Sequence, residues 1–181
     1  MPEKAYCDRQ GAGRSPDACR PGQSGVLQLL INTMRVAGAL EDALREPVAL
    51  VVEDHEAVRH ALCEWIAMSF GRCRVREARN VQDALAIVES EPVDVVLMDI
   101  QLPGINGVEG TRAVLERSPH TAVIAVSNYD DSTHRAAAAA AGVKAFVPKR
   151  AIRTELTPIL RELLVFAVFA KNPALAALAN E

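Results

Sequence analysis

The stretch VDVVLMDIQLPGING, residues 93–107, decides the fold. A run of strand length, apolar but for Asp94, covers 93–98 and stops at Asp99. A strand that is apolar without alternation is buried on both faces. Pro103 and Gly104 then make a tight turn, and Gly107 opens the next helical stretch with little bulk. Strand, polar residue, loop and helix together make one unit of an α/β fold.

Outward from this unit the pattern repeats. Further strand-length runs lie at 48–52, 74–76 (a weak one), 122–126 and 145–147. Helical stretches lie near 56–69, 80–90, 107–117, 131–141 and 153–170. The five βα units recur about every 22 residues. Runs 48–52, 93–98 and 122–126 do not alternate, which predicts a doubly wound parallel sheet of five strands. Right-handed crossovers place helices on both faces. Ligands of such sheets bind beyond the carboxyl ends of the strands.

What stands at those ends is therefore informative. The first strand ends in Glu53-Asp54, the third in Asp99, the fourth in Ser127-Asn128 and the fifth in Pro148-Lys149. The chain has only four lysines, at 4, 144, 149 and 171, so one at a strand end carries information. Any single one of these residues is an ordinary turn or cap residue; the set is not. Three carboxylates within a few ångströms raise one another's pKa unless a cation sits among them. A hard divalent ion such as Mg²⁺ takes oxygen ligands and is commonly held by one or two carboxylates plus a phosphate. A central Asp can be the nucleophile that accepts a phosphoryl group. A Lys and a Ser would then contact the phosphoryl oxygens. The chemistry described is that of a phosphorylatable aspartate.

On the stretches ALVVEDHEAVR (49–59), DVVLMDIQLPGINGVEGTR (94–112), AVIAVSN (122–128) and KAFVPK (144–149), the chain resembles the receiver domain of two-component response regulators. The resemblance covers about two thirds of the chain. It implies a flavodoxin-like sheet with strand order 2-1-3-4-5. By motif position, Asp99 is implied as phosphoacceptor. Glu53 and Asp54 are implied as the acidic pair that binds Mg²⁺ together with Asp99, Asp54 being the more direct ligand. Gln101 is implied to lend the metal its backbone carbonyl. Ser127 and Lys149 match the phosphoryl-contact and switch positions, and Phe146 the rotating aromatic. The implied partners are a sensor histidine kinase or histidine phosphotransfer protein and a downstream protein, with a homodimer left open. The chain would phosphorylate its own aspartate without being a turnover enzyme.

Departures from the pattern matter too. Asn128 stands where the family more often has a very small residue, and it is expected to narrow access to the phosphoryl group. The six alanines 136–141, closed by Gly142, offer either plain helix propensity or a smooth face for a partner helix. The segment after Lys149 reads as a last helix with Thr154 as cap and Pro158 in its first turn. Leu156, Ile159, Leu160, Leu163 and Ala167 would face the core; Phe166 and Phe169 fall partly outside that stripe. This segment is too short and too apolar for a helix-turn-helix output domain, so a stand-alone receiver is expected. An aspartate-nucleophile phosphatase would want a second Asp where Gln101 stands. A structural module that has lost metal and phosphate chemistry is the remaining rival.

Composition agrees. Half of the 181 residues are hydrophobic and 24% are charged, which excludes a wholly disordered chain. A net charge of −3 and a pI of about 5.8 lack the footprint of a nucleic-acid binder. No apolar run approaches the roughly 18 residues of a membrane span. Cysteines at 7, 19, 63 and 73 match no zinc spacing, and the N-terminus lacks the apolar core of a secretion signal. They are read as free thiols in a reducing cytosol, with Cys63 and Cys73 as small buried hydrophobes. Residues 1–25 read as a flexible tail and 26–46 as an added helix and linker, with Ser24 a candidate cap. The receiver is placed at 47–170 and a C-terminal tail at 171–181.

Overall fold

Five short strands, each set by an apolar run, build one sheet. They are β1 (Val48–Val52), β2 (Arg74–Ala78), β3 (Val95–Asp99), β4 (Ala122–Ser127) and β5 (Ala145–Pro148). Between and after them run α1 (Glu56–Ser69), α2 (Val81–Ser90), α3 (Gly107–Arg117), α4 (Ser132–Ala141) and α5 (Thr157–Lys171). The structure, a computed structural model, describes residues 45–171. The expected N-terminal tail, nearly all of the added helix with its Ser24 cap, Cys7, Cys19 and residues 172–181 lie outside them, as do the side chains of Phe166 and Phe169.

All strand pairs are parallel, in the order β2-β1-β3-β4-β5, as expected. Every residue of β1 and β3 is buried, which is why both read as unbroken apolar runs. Their side chains divide by parity. Val48, Leu50, Val52, Val96, Met98 and Val123 pack with Val81, Ala84 and Val88 of α2 and Val114 of α3. Ala49, Val51, Val95, Leu97, Ile124 and Val126 pack with Leu62 and Ile66 of α1 and Leu156, Leu160 and Leu164. Thus α1 and α5 cover one face, and α2 and α3 the other.

β2 reads weakly because it is an edge strand with a charged outer surface. Its exposed Arg74 and half-buried Arg76 pair with Glu91, at 3.0 and 2.6 Å. Such charges discourage a foreign strand from adding to the edge. Three helices begin on side-chain caps. Asn80 accepts from Asp83 N, Asn106 from Val108 N and Glu109 N, and Asp131 from Thr133 N and His134 N. α1 has His55 at its cap position and no side-chain cap bond. α4 ends at Gly142, whose φ of 96° suits glycine, and it leaves Ala136, Ala139 and Ala140 exposed.

The start of the last helix differs from expectation. Lys149–Ala151 forms a tight 3₁₀ turn, Ile152–Leu156 a wide turn of i→i+5 bonding, and only then does α5 begin. Thr154 is therefore not a cap; its hydroxyl donates back to the carbonyl of Ala151. Pro158, without an N–H, stands just past the wide turn and could not have continued an α-helical ladder begun earlier. The buried row is Leu156, Leu160 and Leu164, with Ile159, Leu163 and Ala167 only half-buried. An i, i+4 ridge meets the sheet, so Leu164 takes the place expected of Leu163.

A groove of about 520 Å³ opens between α1 and the wide turn, lined in part by Ala61, Trp65 and Ile152. Trp65 meets Phe70 edge-on, with ring centroids 6.3 Å apart. Cys63 and Cys73 are half-buried free thiols, and burial pushes each up to about 11, so both are protonated at neutral pH. No helix among the described residues is long and apolar enough to cross a membrane.

Candidate functional site

Main-chain pairing runs one residue past the strand ends. Glu53 N donates to Ala78 O at 3.1 Å, and Ile100 N to Val126 O at 3.0 Å. The acidic residues that follow β1 and end β3 are thereby held at one level of the sheet. Glu53 and Asp99 are 2% and 3% exposed, whereas Asp54 is exposed. All three present a carboxylate oxygen within 4.8 Å of the others.

Lys149 reaches into this cluster from the end of β5. Its Nζ donates to Glu53 Oε2 at 2.7 Å and to Asp99 Oδ2 at 2.8 Å. Burial works against the charge on Lys149, but the two carboxylate hydrogen bonds override it and hold the ammonium above its usual pKa. Burial also dominates at Glu53, where it outweighs the hydrogen bond from Lys149 and, with the Asp99 charge, raises the carboxyl above its ordinary value. The other oxygen of Asp99 accepts from Gln101 N at 2.9 Å, so the backbone at 101 lies against the same carboxylate. Glu53 Oε1 accepts a longer bond from His55 N, at 3.4 Å.

Ser127 is fully buried at the end of β4, paired in register with Pro148, while its neighbour Val126 pairs with Asp99. Its Oγ accepts from Tyr129 N at 3.1 Å, which leaves the hydroxyl proton to donate elsewhere. Asn128 is exposed on the loop that follows. Phe146 is half-buried and belongs to a separate cluster, beside Ile100, Ala125 and Ala138. The Arg135 guanidinium lies 4.8 Å from its ring centre. Asp130 accepts from both Arg135 and Arg150, which ties the loop after β4 to the turn after β5.

The structure thus gathers Glu53, Asp54, Asp99, Lys149 and the Gln101 backbone into one cluster. It puts Ser127 beside them in the sheet and Phe146 toward α4, and leaves Asn128 exposed on the loop after β4. The donor set suits a hard cation, which takes oxygen ligands: Glu53, Asp54 and Asp99 would each offer it a carboxylate oxygen. Gly107 packs against the main chain that carries Asp99. A Cβ built on it would lie 1.9 Å from the carbonyl oxygen of Asp99. Sequence reasoning missed Arg59, which is 3% exposed and donates to Glu53 O at 2.9 Å. Its signal was placement, since Arg59 shares the buried face of α1 with Leu62 and Ile66.

Comparison with known proteins agrees with this fold. The family model described as response regulator receiver domain matches residues 49–161. The transcriptional activator protein ExaE of Pseudomonas putida is 31% identical over 72% of this chain and 61% of its own length. The response regulator GacA of Pseudomonas viridiflava is 34% identical over 65% of this chain and 54% of its own. The chain therefore spans between half and two thirds of these relatives. Among solved structures, the BeF3-activated receiver domain of DrrB superposes with a TM-score of 0.59 at 25% identity, covering 65% of this chain and 96% of that one.

Proposed function

This chain belongs to the response regulator receiver domain family, a family of phosphorelay signalling, and from that membership we propose that Asp99 is its phosphoacceptor. The observation that carries the reading is the cluster of three carboxylates within 4.8 Å, with Lys149 forked onto Asp99 and Glu53. The donor is a phosphohistidine of a sensor histidine kinase or a histidine phosphotransfer protein. An Asp99 carboxylate oxygen bonds to phosphorus as the P–N bond breaks, and the imidazole leaves with the electron pair.

Glu53, Asp54, Asp99 and the carbonyl of Gln101 would hold Mg²⁺, which when bound neutralises charge on the phosphoryl oxygens. Lys149 supplies a second positive charge, already directed at Asp99. Ser127 donates its free hydroxyl proton to a phosphoryl oxygen. That contact draws on the loop after β4 and changes the surroundings of Phe146, so a face read by a downstream protein partner shifts. The chain works in the cytoplasm and modifies its own aspartate only, without turning over a separate substrate.

The test is incubation with acetyl phosphate, or with beryllofluoride, in the presence of Mg²⁺. The parent is expected to be modified stably, and Asp99→Asn not at all. Continuous phosphate release would instead indicate a phosphatase, and no response a structural module. Asn128 stands exposed beside the site. Asn128→Ala is expected to lose its phosphoryl group several-fold faster than the parent, because removing the side chain opens a path for water; equal autodephosphorylation rates would refute this.

A further inference from the structure

Arg59 is a charged side chain held almost wholly out of water, on a helix face that otherwise buries Leu62 and Ile66. Buried charges are normally paired. The guanidinium has three partners. Its Nη1 donates to Glu53 O at 2.9 Å and to Asp54 O at 3.3 Å, and its Nε to Glu77 Oε2 at 3.2 Å. Glu77 belongs to β2 and pairs in register with Val51, two residues before Glu53. A single planar fork thus links the edge strand to the backbone of the acidic turn.

Other bonds hold the Glu53 end of that turn, from Glu53 N to Ala78 O and from Lys149 Nζ to the Glu53 carboxylate, but Arg59 is the side chain that takes the carbonyls of both Glu53 and Asp54. α2, α3 and α4 start on side-chain caps, but α1 does not. We propose that Arg59 is a positioning residue for the cation site: it sets the carbonyls of Glu53 and Asp54 so that their carboxylates converge on Asp99. Glu77 aims the guanidinium and offsets its positive charge, which would otherwise stand behind the acidic pair and oppose a cation. This inference rests on the reading of Glu53, Asp54 and Asp99 as cation ligands.

The test is calorimetric titration of Mg²⁺ into the full chain, with thermal unfolding measured separately in chelator. Arg59→Met is expected to weaken Mg²⁺ binding about tenfold, the size typical of groups that orient metal ligands. Arg59→Lys, which can hold a carbonyl but lacks the fork, is expected to recover part of that loss. Glu77→Gln is expected to weaken binding roughly threefold at low salt and to recover at high salt, because its defect is a screened charge. Should Arg59→Met not fold, Arg59→Lys and Glu77→Gln carry the same test. Variants that unfold at lower temperature but bind Mg²⁺ like the parent would overturn the inference and leave Arg59 a packing residue. A parent that takes up no more Mg²⁺ than Asp54→Asn would overturn the site reading and this inference with it.

Discussion

Gly107→Ala is expected to lower the thermal midpoint by at least about 10 °C, a loss of about 3 kcal/mol for a domain of this size. The added methyl would stand 1.9 Å from Asp99 O, 2.7 Å from Asp99 C and 2.8 Å from Ile100 Cα. All three are backbone atoms, so no side chain can swing away to make room. Either α3 must lift or the end of β3 must sink. Lifting α3 breaks the bond from Gly107 N to Ile100 O, now 3.0 Å. Sinking β3 moves Asp99 itself. The variant should therefore lose phosphorylation even where some folded protein survives. Gly71→Ala is the control: a Cβ there meets nothing within 4 Å, and its midpoint should hold or rise slightly. Equal midpoints for the two variants would refute the packing argument.

Lys149→Met is expected to cost about 3–5 kcal/mol near pH 8, the range for removing one member of a buried ion pair. Glu53 and Asp99 would remain buried without their ammonium. The pH dependence has a definite sign. In the parent, the folded pKa of Lys149 is raised above its ordinary 10.5. Its contribution is therefore fully present below that value and is lost as pH rises through the folded one. The folded pKa of Glu53 is raised above its ordinary 4.5, so the native state binds that proton more tightly than the unfolded state. Stability is gained as pH falls through the folded value toward 4.5. Losing the hydrogen bond from Lys149 moves Glu53 further up and widens that window. The deficit of the variant should thus be largest at pH 8 and shrink toward pH 5. Urea unfolding in chelator at the two pH values checks this; an unchanged deficit would tell against it.

The sheet was legible for a physical reason. β1, β3 and β4 lie inside it and bury nearly every side chain, so each is an unbroken apolar run. β2 carries arginines on an edge, and its signal was weak for the same reason that it is an edge. Ends of strands were equally readable, since Glu53-Asp54, Asp99, Ser127 and Pro148-Lys149 each close an apolar run. The fork of Lys149 across two carboxylates was not readable, because it requires β1, β3 and β5 to be brought together. Arg59 escaped notice because arginine in a helix ordinarily reads as a solvated charge. Thr154 misled because a hydroxyl residue ahead of an apolar run has the signature of a cap. The chain instead leaves Lys149 through two irregular turns before α5 can start.

Trp65 gives the protein a use for its scarcity of aromatics. It is the sole tryptophan of 181 residues, so the indole emission of the whole chain comes from one place. That place is the groove between α1 and the wide turn, three residues beyond Lys149 at its nearest edge. A displacement of either wall changes the solvent around the ring and its edge contact with Phe70. The molecule therefore carries a built-in fluorophore in the groove between α1 and the wide turn, and the packing of those two walls can be followed optically without attaching a label.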